Sequence, residues 1–418
     1  MERRDFLKLA AVSGLSVVTP MGVGREAHAE EKAFEPYTGS FLVAFNARGG
    51  WDPTYLCDPK GLDVNGINKS FSSGDILTAG NIKYAPRGVN QTFFDRFKDE
   101  LLVLNGVDMS TNSHRSGTRY AWTGKREKSN YPTLAALIAG VKGANLPLAY
   151  LSFGGYDSTG NIVPLARVPR AERLRSLATA NLIASDPNRK YHEDLVAQKI
   201  QAARNQRHEH HHSHLPRQER SRGVLFTAQL NSKELKRIVE FLPETMPTNG
   251  LQRQIVTALA AYKAGLCISV NVGVGAFDTH SDHDNKQSTA LDNMLNGIIY
   301  MMDRAEELGI RDKVVVQAGS DFGRTPKYNK DNGKDHWSIS SMMLMGPGIS
   351  GNRVIGATDE EQKTVTLDPQ TLQPSEDSQL KLRPEHVHHE LRKLFGVENS
   401  EFAKEFKLEE TPIPLING

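Results

Sequence analysis

Leu266-Cys267-Ile268-Ser269-Val270-Asn271-Val272-Gly273-Val274-Gly275 runs into Phe277-Asp278-Thr279-His280-Ser281-Asp282-His283. A helical pattern over 288–308 follows, and then a second apolar run, Lys313-Val314-Val315-Val316-Gln317-Ala318. Both runs are short and rich in β-branched residues, which suits strands covered on two faces. Gly309 closes the helical stretch between them, as glycine does where the backbone turns left-handed at a helix end. Strand, acidic loop, helix and strand make one crossover unit. It predicts an α/β chain with a central, largely parallel sheet and helices on both faces.

The same alternation extends outward. Residues 40–45 read as a buried strand running into Gly49-Gly50-Trp51-Asp52. Residues 93–97 suggest a short helix, 101–104 a strand, 131–140 a helix and 149–153 a strand. Beyond the quoted stretch, 341–345 reads as a strand and 384–394 as a closing helix. Between about 171 and 265 the composition shifts to Arg, Lys, Gln, Glu and Leu, with amphipathic helices expected at 195–207, 232–241 and 251–264. This predicts one domain over 30–418 carrying a helical insertion at about 171–265.

The chain of 418 residues has 51 basic and 49 acidic residues. Arg3-Arg4-Asp5-Phe6-Leu7-Lys8 is a twin-arginine pattern, followed by an uncharged stretch over 9–24 and the small-x-small site Ala27-His28-Ala29. These are the parts of a signal peptide, 1–29, for folded export through the twin-arginine translocase. Ser13, Gly14, Thr19 and Pro20 interrupt the apolar stretch, whereas a spanning helix needs roughly 20 mostly apolar residues. The expectation is a periplasmic or otherwise extracytoplasmic protein with no stable membrane span after cleavage. Removing 1–29 takes away four basic and three acidic residues and leaves +1, so charge gives no case for nucleic acid. Two cysteines, Cys57 and Cys267, do not make a disulfide framework, and Cys267 reads as a core thiol.

Ligands in parallel sheets gather where strands end, and several predicted strand ends here carry acids. They are Asp52, then Asp278 with His280 and His283, then Asp321 in Ser320-Asp321-Phe322-Gly323-Arg324-Thr325. A further loop brings Gly333-Lys334-Asp335-His336-Trp337. Carboxylates and imidazoles that converge suit one or two divalent ions, Zn, Mn or similar. Asp282 and Asp284 read as a solvated turn, and Asp108 and Asp157 as turn residues. After the strand at 101–104 comes Met109-Ser110-Thr111-Asn112-Ser113-His114-Arg115. Hydroxyls and a histidine at a helix start meet an electropositive end that favours anions. A Ser/Thr-rich capping loop accounts for the same residues.

The set Gly-Gly-Trp-Asp at 49–52, Asn105-Gly106-Val107-Asp108 with Asn112-Ser113-His114, Phe277-Asp278-Thr279-His280, Ser320 to Thr325 and Asp335-His336-Trp337 resembles the family called domain of unknown function 1501. That family in turn looks like a distant branch of the alkaline phosphatase and sulfatase superfamily. The resemblance implies an alkaline-phosphatase-like three-layer sandwich with a two-metal centre. It implies Asp52 as an early ligand, Asp278 with His280 or His283 on one ion, Asp321 on the other, and His336 returning to the first. Asp335 joins the ligand candidates. Ser113 or a neighbouring hydroxyl takes the nucleophile position beside His114, and Arg324 holds a small anionic ester substrate. Two positions depart from the pattern. Phe322 stands where alkaline phosphatases have His, and Asp321 where the family usually has Glu. The implied activity is hydrolysis of phosphate or sulfate esters. The alternative is a non-catalytic, metal-stabilised envelope or binding protein. His208-Glu209-His210-His211-His212-Ser213-His214 suits metal binding by composition, but its place between Arg/Gln-rich segments reads first as a solvated linker within the helical insertion.

Overall fold

The computed structural model describes residues 16–18, 35–127, 130–168, 181–183, 186–210 and 234–416. The twin-arginine pattern, the cleavage site and residues 211–214 of the histidine tract lie outside them.

The main sheet is built from β1 (Ser16–Val18), β2 (Phe41–Ala47), β3 (Leu101–Asp108), β4 (Tyr150–Ser152), β5 (Leu165–Arg167), β6 (Ser269–Val274), β7 (Val314–Ser320), β8 (Ile339–Met345) and β9 (Arg353–Ile355). Their order across the sheet is β1-β5-β4-β6-β2-β7-β8-β3-β9. From β5 to β7 every pairing is parallel, β8 runs antiparallel between β7 and β3, and β9 pairs parallel with β3. β1 adds an antiparallel edge.

β2 is buried throughout because both faces are covered. Phe41, Val43 and Phe45 join one core while Leu42 and Ala44 join the other, the period-two split of a central strand. On the first face lie α1 (Asn90–Phe97), α5 (Gly250–Lys263) and α6 (His283–Glu307), contributing Phe93, Phe94, Leu259, Met294 and Ile298. On the second lie α2 (His114–Thr123), α3 (Leu134–Gly143) and α7 (Pro384–Leu394), contributing Ala121, Leu137, Ile138, Val387 and Leu391. This is the three-layer α/β sandwich. Cys57 and Cys267 are buried free thiols, and burial pushes both up to about 12.

Within the stretch read as an insertion, α4 (Asp194–His210) is a helix and Leu235–Glu240 a 3-10 turn. α5 belongs to a layer and caps itself with Asn249, whose side chain accepts from the N–H groups of Leu251 and Gln252. α6 begins five residues earlier than its apolar pattern suggests, at His283, after Asp282 in the left-handed region.

The register levels the functional edge. Val274, Ala47 and Ser320 are aligned across β6, β2 and β7. Their loops therefore leave side by side, and Asp108 at the end of β3 faces Ile339 at the start of β8 on the same edge. Just before β8, Gly323–Arg324 and His336–Trp337 form a two-stranded hairpin that sets Arg324 opposite His336.

Candidate metal centre at the carboxyl edge of the sheet

Gly49 lets the loops close. Its φ is +123°, and a Cβ there would sit 2.4 Å from the Asp278 nitrogen. Its N–H donates to Asp321 Oδ1 at 3.0 Å, and the N–H groups of Gly50 and Trp51 donate to Ser320 Oγ at 3.1 and 2.9 Å. The β2 loop is thereby clamped to the end of β7, and Asp278 stands against both.

Asp278 is the hub. Arg324 Nη2 donates to its Oδ1 at 2.6 Å. His280 Nε2 lies 3.1 Å and His336 Nε2 3.4 Å from that oxygen, and His114 Nε2 lies 3.5 Å from Oδ2. His280 Nε2 and His336 Nε2 are 3.0 Å apart. The other nitrogen of each ring is engaged elsewhere. His114 Nδ1 meets Asp321 Oδ2 at 2.7 Å, His280 Nδ1 meets Asp335 Oδ1 at 2.8 Å, and His336 Nδ1 meets the Asn112 carbonyl at 2.8 Å. Carboxylates and carbonyls only accept, so each Nδ1 donates, and in the neutral form of each ring Nε2 is the free lone pair that faces Asp278.

In the neutral rings three lone pairs and a carboxylate face one another, an arrangement that a bound cation would relieve. Among the described residues, His114, Asp278 and His336 each place one donor atom within 4.8 Å of the others, and His280 closes on two of the three. Metal–ligand bonds of about 2.0–2.1 Å in tetrahedral geometry put ligand atoms roughly 3.3 Å apart, close to the 3.1, 3.4 and 3.5 Å from Asp278 to the three Nε2 atoms. Outer acceptors on imidazole Nδ1 are the usual support of a metal-ligating histidine. The donor set fits a Zn-type ion.

The electrostatics follow from the same contacts. Burial pushes the Asp278 carboxyl up, but the Arg324 hydrogen bond and the charges of Arg324, His114 and His280 bring it below the usual carboxylate range. The Asp321 hydrogen bond raises the His114 ring above its ordinary value, whereas burial lowers His336.

The expected residues thus divide. Asp278, His114, His280 and His336 come together as donors. Asp321, nearly fully buried, and Asp335 hold histidines rather than facing the centre. Asp52 and His283 form a separate, fully buried group with Lys334. Arg324, expected at the substrate, is 0% exposed. Its Nε donates to Gly50 O and its Nη1 to Lys334 O, both at 2.9 Å, and its Nη2 also reaches Gly49 O. The guanidinium is enclosed by these backbone carbonyls, and its Asp278 contact holds that carboxylate in place. Ser113 is the exposed N-cap of α2, without a side-chain capping bond. Phe322, the departure from the phosphatase pattern, packs its ring 4.3 Å from His336 and 4.8 Å from His114, centroid to centroid. Lys334 and the Asn112 carbonyl carry no motif signal, and their roles appear only in three dimensions.

Residues 89–374 match the model of a family described as Protein of unknown function (DUF1501). None of the curated proteins compared matches the chain. Among solved structures, the lipoteichoic acid synthase LtaP from Listeria monocytogenes is similar at 10% identity and TM-score 0.36, over 85% of this chain and 74% of that one. A TAB5 alkaline phosphatase mutant with Mg bound in its M3 site is similar at 11% identity and TM-score 0.35, over 77% and 95%. A 2-O GAG sulfatase is similar at 10% identity and TM-score 0.32, over 88% and 72%. These are likenesses of outline.

Proposed function

The chain belongs to the family Protein of unknown function (DUF1501), and for it we propose a metal-dependent hydrolase of phosphate or sulfate esters, exported folded by the twin-arginine translocase. The observation that carries this reading is the orientation of three imidazoles. Each is held at Nδ1 by an outer acceptor, and each presents Nε2 to Asp278. Such a site is preorganised for one divalent ion. When bound, an ion of this kind polarises an ester oxygen and acidifies water.

The chain's own groups supply the rest. Asp278 holds its negative charge against Arg324, and its side chain is about half-exposed (49%), so a small anionic ester reaches the centre from solvent. Asp321 fixes the tautomer of His114, and Phe322 closes the inner wall against water. Ser113, one residue before His114 at the start of α2, offers a hydroxyl at a helix end that favours anions. Among the described residues no helix is long and apolar enough to cross a membrane.

Turnover of a panel of aryl phosphate and sulfate esters tests the reading. Activity is expected in the parent and at least ~100-fold less in Asp278→Asn and in His336→Ala, each remaining folded. Equal turnover in parent and variants contradicts it. A parent with no turnover that still holds its ion supports the non-catalytic envelope protein, the reading that Phe322 in place of a ligand favours.

A further inference from the structure

The resemblance implies two ions, with Asp52 as a ligand of one. The structure fills that place differently. Asp52 is fully buried, and its oxygens are saturated. Oδ1 accepts from Thr54 N at 2.9 Å and Thr54 Oγ1 at 2.7 Å. Oδ2 accepts from His283 Nε2 at 2.9 Å and Lys334 Nζ at 2.6 Å. A carboxylate has about four lone-pair positions, and all are engaged. His283 has no lone pair to offer either. Its Nε2 carries the proton given to Asp52, and its Nδ1 lies 2.7 Å from Thr279 Oγ1, which in turn receives Gln287 Nε2 at 3.1 Å. The donor set at Asp52 therefore does not fit a metal ion.

We infer that Lys334 takes the place of a metal ion at Asp52, a built-in ammonium on the carboxylate that the resemblance implies as a ligand. Its Nζ is fully buried and faces the rings of Tyr328 at 5.3 Å and Tyr55 at 5.6 Å. Its carbonyl receives Arg324, and Asp335 and His336 follow it in the chain, so the same residue ties Asp52 to the metal-facing hairpin. Charge agrees. Asp52, Asp278, Asp321 and Asp335 face two fixed cations, Arg324 and Lys334. Asp284, which accepts from the Tyr328 hydroxyl at 2.6 Å, adds a further carboxylate, so the group is net negative and a divalent ion at Asp278 offsets it. The count of one ion rests on the function proposed above; the place of Lys334 at Asp52 does not.

A double-mutant cycle tests this in the chain lacking residues 208–214, with Asp52→Asn, Lys334→Met and the two combined. Melting midpoints are read without added metal, and bound zinc is counted by mass spectrometry. Each single change leaves a buried charge or donor unpaired and is expected to lower the midpoint by ~5 °C or more, while the pair removes both charges and recovers at least half of the summed loss. The double variant keeps the zinc count of the parent. Additive losses, or a double variant holding one ion fewer than the parent, overturn the inference. If the single variants do not fold, the zinc count of the folded double variant decides alone. A parent without zinc refutes the proposed function, yet the melting cycle still decides the role of Lys334.

Discussion

Asp321 accepts from Gly49 N–H and from His114 Nδ1 while almost fully buried, so its work is orientation. Asp321→Asn keeps an acceptor for Gly49 but no longer obliges His114 to donate. Zinc affinity is expected to fall about 10–100-fold, measured by competition with a chromophoric chelator. Unchanged affinity contradicts the positioning role. His388 gives a prediction of a different kind. It is fully buried, its Nε2 donates to Ala121 O at 2.9 Å, and burial pushes its pKa down to about 3. In the unfolded chain a histidine titrates near 6.5, so below that pH the unfolded state binds the proton first. The stability is fully present above about pH 6.5 and falls by up to ~1.4 kcal/mol per pH unit toward pH 3. His388→Gln preserves a donor to Ala121 and should flatten that acid limb in urea unfolding at pH 4–7. Parallel limbs in parent and variant contradict it.

Loops and hairpins set the geometry that single residues use. The Gly49 turn brings the end of β2 against Asp278, and at φ +123° a side chain has neither the backbone conformation nor the space. Gly49→Ala is expected to cost about 1–3 kcal/mol in denaturant unfolding and to weaken zinc binding as Asp278 is displaced. A loss under ~0.5 kcal/mol would mean that the turn relaxes freely. The same scale shows what is legible in the sequence. The apolar runs at 266–274 and 313–318 announce strands, and acids and histidines just beyond them announce strand-end chemistry, because residue type and local period carry both facts. The start of α6 is not legible, since Asp282 adopts a left-handed backbone that no apolar period encodes. Nor are the inner roles of Arg324 and Lys334. Whether a charged side chain is buried depends on its partner, and Lys334 finds Asp52 282 positions away. That partner is also why Asp52, readable as a strand-end acid, lies buried against Lys334 and His283 and apart from Asp278.

Across the molecule, parallel β2, β6 and β7 end level, and the centre lies where their loops meet α2 and the hairpin before β8. The two cores beneath and above the sheet pack against the strands that carry that edge. Ion binding should then stabilise the whole fold in proportion to occupancy. The most direct test is a count of tightly bound ions in the chain lacking residues 208–214, beside a variant carrying Asp278→Ala and His336→Ala. One ion per parent chain, with none in the folded variant, is the predicted result. A parent that holds no ion, or a variant that keeps it, contradicts the metal centre at Asp278.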